Sequence, residues 1–194
     1  MSDLTIIIPA AGMSTRMRGR DKLLMAVDGQ PLLRRQASFA AATGCPVTVV
    51  VPQANTPRHK ALHDLGVRIL EVADPRLGMG ASIAAAARAM PPGRLLILPA
   101  DMPGLTTPML QTFIEDASVA PDKVWRAMDA QGTPGHPVLF PVRLFDALGH
   151  LTGDQGARDL LRDEQVMLAG LPGNAATLDL DTPEAWAAFR ETQP

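Results

Sequence analysis

Leu4-Thr5-Ile6-Ile7-Ile8 is bulky and apolar on both faces, and it runs without a spacer into Pro9-Ala10-Ala11-Gly12. A strand of that kind belongs in the middle of a sheet covered on both sides, and such sheets are mostly parallel with helical crossovers. The rest of the chain keeps the same rhythm. Strands are predicted at 46–51, 67–72 and 94–99. Helices lie between them, opening at Pro31, at Asn55 or Thr56 (to about Leu65), and at Ala81 (to Met90). The segment 23–27 ends at the turn Asp28-Gly29-Gln30, and Thr107 is expected to cap a helix with Pro108 at its first position. Strands at 123–128 and 137–140 flank the turn Gly132-Thr133-Pro134-Gly135, and a helix follows over 142–148. Another helix is expected to open at Gly153-Asp154-Gln155-Gly156-Ala157-Arg158. Residues 166–169 and 177–180 read as late strands before a last helix at Thr182-Pro183-Glu184. The expectation is an α/β fold with a mostly parallel central sheet covered by helices.

Composition narrows the function. A chain of 194 residues has room for one sizeable core, so one domain is expected over 1–194. A formal charge of −2 lacks the basic excess of a nucleic-acid binder. Aromatic residues make up only 4%, with no tyrosine, which leaves few platforms for stacked bases. Cys45 is the single cysteine, which excludes an internal disulfide or a multi-cysteine metal site. No apolar run approaches the roughly 20 residues of a membrane span. Met1-Ser2-Asp3 lacks a basic leader, so a cytoplasmic protein is expected.

The stretch from Pro9 to Met17, continuing to Asp21-Lys22, follows the buried strand and so lies at the carboxyl edge of the sheet, where open α/β folds bind ligands. Ala10, Ala11 and Gly12 let backbone N–H groups approach an anion, and Arg16 and Lys22 add positive charge. A triphosphate needs both. The loop has no Gly-Lys-Ser/Thr ending and only one of the three glycines of a dinucleotide fingerprint. Gly78-Met79-Gly80 is followed by Ile83 where a third glycine would stand, so it makes no fingerprint either.

Asp101 lies beyond the strand ending near Leu98, and Pro103 keeps it out of a helix. A carboxylate there can hold Mg²⁺ against phosphate oxygens, or cap a turn before Gly104. His59 and His63 stand four apart, but no third ligand is near and Arg58, Lys60 and Asp64 read as a solvated face. Cys45 reads as a small buried residue, and the ten methionines, spread through helices and loops, mostly as core filler. Arg18-Gly19-Arg20 reads as phosphate neutralisation or as a mobile lid.

Ile8-Pro9-Ala10-Ala11-Gly12 to Arg16-Met17, with Lys22, resembles the signature of nucleotidyltransferases with a glycosyltransferase-A-like fold, which implies a three-layer, Rossmann-like α/β architecture with a mostly parallel central sheet. Gly78-Met79-Gly80-Ala81-Ser82, Leu98-Pro99-Ala100-Asp101-Met102-Pro103 and Gly135-His136-Pro137-Val138-Leu139-Phe140 narrow the resemblance. With Gly153 to Arg158 and Asp179-Leu180-Asp181-Thr182-Pro183-Glu184, the ordered set is similar to the molybdopterin cytidylyltransferase subfamily over nearly the whole chain.

The resemblance implies a nucleotide half over about 1–105 and an acceptor half over about 106–194. Ala10 to Gly12 and Arg16 would wrap the nucleotide, Lys22 its phosphates, and Gly78, Gly80 and Ser82 would edge the base. Asp101 would bind Mg²⁺ (or Mn²⁺), with Asp179 or Asp181 closing the site. Their alternation puts those two on one face of a strand, while Asp181 can equally cap the last helix. Gly135, His136, Pro137, Asp154 and Arg158 would line the acceptor side. His136 has a routine turn role as its alternative, and Arg158 can pair with Asp154 one turn earlier.

The implied reaction transfers CMP from CTP to the phosphate of molybdopterin or molybdenum cofactor, releasing pyrophosphate and giving molybdopterin cytosine dinucleotide. A molybdoenzyme or its maturation chaperone is an implied partner, with no nucleic acid and no membrane. The rivals are an NAD(P)H-linked oxidoreductase of the same broad family, a cofactor carrier without transfer activity, and a nucleotidyltransferase using another base or a sugar-phosphate-type acceptor.

Overall fold

A computed structural model describes residues 3–53, 55–153 and 157–191. The strands are β1 (Leu4–Pro9), β2 (Ala26–Val27), β3 (Gln30–Pro31), β4 (Val47–Pro52), β5 (Arg68–Val72), β6 (Arg94–Ile97), β7 (Val124–Met128), β8 (Pro134–Phe140) and β9 (Val166–Gly170). The helices are α1 (Leu32–Ala41), α2 (Thr56–Leu62), α3 (Gly78–Arg88), α4 (Thr107–Ala117), α5 (Phe145–Gly149) and α6 (Pro183–Glu191).

The main sheet has seven strands in the order β5-β4-β1-β6-β8-β7-β9, and β2 and β3 form a separate hairpin. β1 is parallel to both β4 and β6, whereas β8 runs antiparallel to its neighbours β6 and β7. The sheet is therefore mostly parallel. From β1 the chain winds outward through β4 to β5, then returns past β1 to add β6 on its other side. The order reverses between β1 and β6, and the loops leaving their carboxyl ends must diverge there and leave a crevice.

Alternation along β1 divides the core. Leu4, Ile6 and Ile8 pack with Leu33, Ala37 and Phe113 of α1 and α4, while Ile7 faces Ile83, Ala86 and Ala87 of α3. A smaller cluster of Met17, Val27, Leu32, Leu180 and Trp186 seats α6 against the hairpin. These three clusters hold the crevice walls on rigid elements.

Local reading of the chain departs from the structure in several places. α3 starts at Gly78, three residues before the expected Ala81, so Gly78-Met79-Gly80 belongs to the first turn of the helix. Thr106 rather than Thr107 precedes α4, and the Thr107 hydroxyl donates to the Phe39 carbonyl 2.9 Å away. The expected helix over 142–148 divides into a 3-10 turn (Val142–Leu144) and the short α5. The helix expected to open at 153–158 falls partly outside the described residues, and a 3-10 turn at Asp159–Leu161 follows.

Residues 177–180 do not form a strand. Their backbone bonds go to two places, Thr177 and Leu178 back to Asn174 and Leu180 N–H to the Asp101 carbonyl, while the preceding Ala176 accepts from His136 N. No single neighbour offers a ladder, so the segment stays irregular.

Candidate active site

The crevice beyond β1 and β6 is a cleft of about 550 Å³, within the range of small-molecule sites. The loop from Pro9 to Arg16 forms one wall and Pro99-Ala100-Asp101 another. Lys22, Asp181 and the start of α3 complete it. Ala10, Ala11, Gly12, Arg16, Lys22, Gly78, Ser82, Asp101 and Asp181 thus come together in one cavity, although the chain separates them by up to 171 positions (181 − 10).

Lys22 is the centre of its charges. Its Nζ donates to Asp101 Oδ2 at 2.5 Å and also to Asp181 Oδ1, while Arg16 Nη2 lies 2.6 Å from Asp181 Oδ2. Burial works to lower the Lys22 ammonium, but Asp101, by charge and hydrogen bond, and then Asp181 outweigh it and raise the value. For Asp181, burial works upward, and the hydrogen bond and charge of Lys22, followed by Arg16, hold the carboxyl below its ordinary range. Asp181 is free for this role because the Thr182 hydroxyl caps α6 instead, accepting from Ala185 N at 3.2 Å.

Asp179 is exposed and does not line the cleft, yet it lies within electrostatic reach. Partial desolvation by the surrounding protein, then the Asp181 and Asp101 carboxylates, push its carboxyl up. With no strand at 177–180, the expected shared face of a pleat does not exist.

At the start of α3, the Ser82 hydroxyl donates to the Gly78 carbonyl at 3.3 Å, within the helix. Gly80 is turned away from the cleft. A Cβ there would stand 2.7 Å from the Thr152 carbonyl oxygen, and its N–H donates to Gly153 O at 2.9 Å. Packing against 152–153 therefore accounts for this glycine. Met79 and Met13, 40% and 54% exposed, give the cleft apolar surface that sequence reading had assigned to core filling.

Gly135, His136 and Pro137 lie on β8, next to β6 but outside the cleft lining. A Cβ on Gly135 would fall 1.8 Å from the Ala176 carbonyl oxygen, so glycine alone lets the segment leading to Asp181 cross β8. Burial, helped by the Arg126 guanidinium, lowers the His136 imidazole to about 4, against the opposing pull of Asp101 and of a hydrogen bond with the Ile97 backbone. The ring is neutral near pH 7, with its buried Nδ1 unpartnered among the described residues. Arg126 itself is held below its ordinary value by burial and then by the charge of Arg158. Arg126 thus lies within electrostatic reach of both the neutral His136 ring and the Arg158 guanidinium. Asp154, expected beside Arg158, lies outside the described residues.

Arg58 and Arg126 escaped the sequence reading. Arg58 was assigned to a solvated face, yet its side chain is only 2% exposed. It turns under the cleft loop, where four hydrogen bonds replace water. Arg126 donates to the Gly135 and Pro134 carbonyls. Neither has a local signal, because the partners lie on other elements.

The donor set for a metal can be judged directly. Among the described residues no group of three or more His, Cys, Asp or Glu side chains could hold an ion. Asp101 and Asp181 nonetheless converge on one cation, the Lys22 ammonium. Mg²⁺ commonly takes one or two carboxylates and completes its shell with water and substrate phosphate oxygens, so this pair fits such an ion.

Known proteins resemble this chain in sequence and in fold. The chain is 30% identical over 199 aligned positions to the molybdenum cofactor guanylyltransferase of Pseudomonas paraeruginosa strain PA7, covering 96% of this chain and 94% of that protein. It is 28% identical to the nicotine blue oxidoreductase of Paenarthrobacter nicotinovorans, covering 93% of each. The crystal structure of Rv0371c from Mycobacterium tuberculosis H37Rv superposes with a TM-score of 0.85, at 26% identity and 98% coverage of both chains. The MobA-like NTP transferase domain matches residues 6–168. By that match, and by a mostly parallel sheet that ends in a cation- and carboxylate-lined cleft, this chain belongs to the MobA-like NTP transferase family and is a nucleotidyltransferase.

Proposed function

We propose that the protein transfers CMP from CTP to the terminal phosphate of molybdopterin or molybdenum cofactor, with Mg²⁺ (or Mn²⁺) as the metal. The observation that carries the reading is the Lys22 ammonium held between Asp101 and Asp181, on the floor of a cleft walled by Ala10 to Gly12. The Pseudomonas relative supports a molybdenum cofactor acceptor. The Mycobacterium tuberculosis protein has also been solved in complex with manganese, which supports a divalent ion.

An acceptor phosphate oxygen attacks the α-phosphorus of the nucleotide. The bond from that phosphorus to the bridging oxygen of the β-phosphate breaks, and pyrophosphate leaves with the electron pair. The attacking oxygen is already anionic, so no general base is required, and the protein's work is positioning and charge neutralisation. Lys22 and Arg16 offset charge on the triphosphate. Asp101 and Asp181 would hold the Mg²⁺, which supplies further neutralisation of phosphate oxygens when bound. Arg158 and Arg126 offer positive charge to the acceptor, and neutral His136 offers it a hydrogen bond.

The choice of CTP rests on the ordered set of motifs from Gly78-Met79-Gly80-Ala81-Ser82 to Asp179-Leu180-Asp181-Thr182-Pro183-Glu184, which resembles the cytidylyl subfamily. GTP is the rival donor, favoured by the guanylyltransferase relative. Turnover with molybdopterin, Mg²⁺ and each of CTP, GTP, ATP and UTP decides between them. Pyrophosphate release fastest with CTP is expected, and a preference for GTP would overturn the base assignment alone. Release with none, together with NADPH oxidation, would overturn the transferase reading in favour of the chemistry of the Paenarthrobacter relative.

A further inference from the structure

Arg58 lies on α2, behind the cleft loop and outside the cleft itself. Its Nη1 donates to the Ala10 carbonyl and its Nη2 to the Gly12 carbonyl, at 2.8 Å for the latter. Nε and Nη2 also grip Asp21, at 2.8 Å to Oδ2 and 2.9 Å to Oδ1. One guanidinium thus ties together the two stretches that form the phosphate wall, residues 10–12 and the segment that begins at Asp21 and carries Lys22.

The geometry of the peptide group gives this clamp a consequence. In a trans peptide the N–H of one residue points opposite to the C=O of the residue before it. The Ala10 and Gly12 carbonyls turn toward Arg58, so the N–H groups of Ala11 and Met13 turn away from it. Both residues line the cleft, and neither N–H has a backbone partner among the described residues. Facing the open cleft, these two donors are left to water or to a bound acceptor. Asp21 meanwhile caps the 3-10 turn Lys22–Leu24, its Oδ1 accepting from Leu23 N, and Lys22 N donates to the Ser14 hydroxyl.

We infer that Arg58 is a positioning residue for the nucleotide. It holds the Ala11 and Met13 N–H groups toward the triphosphate and sets the base of Lys22, without touching the ligand. The inference rests on the reading of this cleft as the nucleotide site. Lysine at position 58 preserves the charge but, with a single nitrogen, cannot reproduce the four-bond planar fork on Ala10, Gly12 and Asp21, so geometry and long-range charge are separable.

The test is calorimetric binding of CTP and of GTP, each with Mg²⁺, to the full-length wild type, to Arg58→Lys and to Leu110→Ala, with urea unfolding of each. Leu110 is buried in the core on α4, so its variant measures what lost stability alone does to binding. Arg58→Lys is expected to weaken the nucleotide that wild type binds by about tenfold or more, with the KM for the acceptor unchanged. Leu110→Ala is expected to bind as wild type does. Equal nucleotide affinity in Arg58→Lys and wild type, or an equal loss in Leu110→Ala, would overturn the inference while leaving the transferase reading intact. Failure of wild type to bind either nucleotide would overturn both. Should Arg58→Lys not fold, Asp21→Asn loosens the same clamp from its other end. Weaker nucleotide binding is expected there too, and unchanged affinity would overturn the inference.

Discussion

Lys22 Nζ and Asp101 Oδ2 are 2.5 Å apart although 79 positions separate them in the chain, and both side chains are mostly buried. The ammonium is shared with Asp181 and so stands between the carboxylates proposed to hold the metal. Lys22→Met is expected to have two opposite effects. Turnover falls by roughly 10²–10³-fold, the usual scale for losing a donor to developing phosphate charge. Mn²⁺ binding without nucleotide, followed by electron paramagnetic resonance, becomes tighter because the competing cation is gone. Unchanged or weaker Mn²⁺ binding would remove the carboxylate pair from the metal site.

Asp101→Asn keeps the shape of the side chain and an oxygen for Lys22 but removes the charge. Turnover is expected to fall by about 10³-fold or more, with a melting temperature close to wild type, since Asp181 still pairs Lys22. Near-normal turnover at saturating Mg²⁺ would sink the assignment.

Two glycines predict opposite outcomes. Gly135→Ala puts a methyl 1.8 Å from the Ala176 carbonyl oxygen and should cost about 3 kcal/mol or more in urea unfolding. A Cβ on Gly12 meets nothing within 4 Å. Gly12→Ala should therefore leave stability unchanged and weaken nucleotide binding about tenfold by holding phosphate off the backbone. Normal nucleotide affinity in Gly12→Ala would move the phosphates elsewhere.

His136 imposes a pH dependence on stability. Its folded value of about 4 lies below the ordinary 6.5, chiefly because the ring is buried. Between those values the unfolded chain binds a proton that the folded chain does not. Stability is complete above pH 6.5 and declines toward pH 4, by up to about 1.4 kcal/mol per pH unit from this group. His136→Gln should flatten the thermal-unfolding profile across that window. A profile as steep as wild type would show that the histidine is not buried as a neutral ring.

The fold and much of the cleft could be read from the chain because their signals are local. β1 is apolar on both faces, the small residues and Arg16 follow it directly, and Asp101 follows β6. Each of these depends on a strand being buried and ending where it does, and short windows of sequence record that. The same windows make Arg58 part of a solvated face, whereas its contacts with Ala10, Gly12 and Asp21 come from distant segments, as does the packing of Gly80 against 152–153.

The amino-acid sequence by itself determined a mostly parallel α/β sheet, a cationic loop at its carboxyl edge and a carboxylate at Asp101. Only the tertiary structure decided that Asp181 faces Lys22 while Thr182 caps α6, that Asp179 stays outside the cleft, and that an arginine of α2 is buried beneath the loop. The physical reason is one of range. Periodicity and capping act within a few residues, whereas the direction of an isolated charged side chain depends on which partners desolvate or pair it, and the fold brings those together from distant parts of the chain.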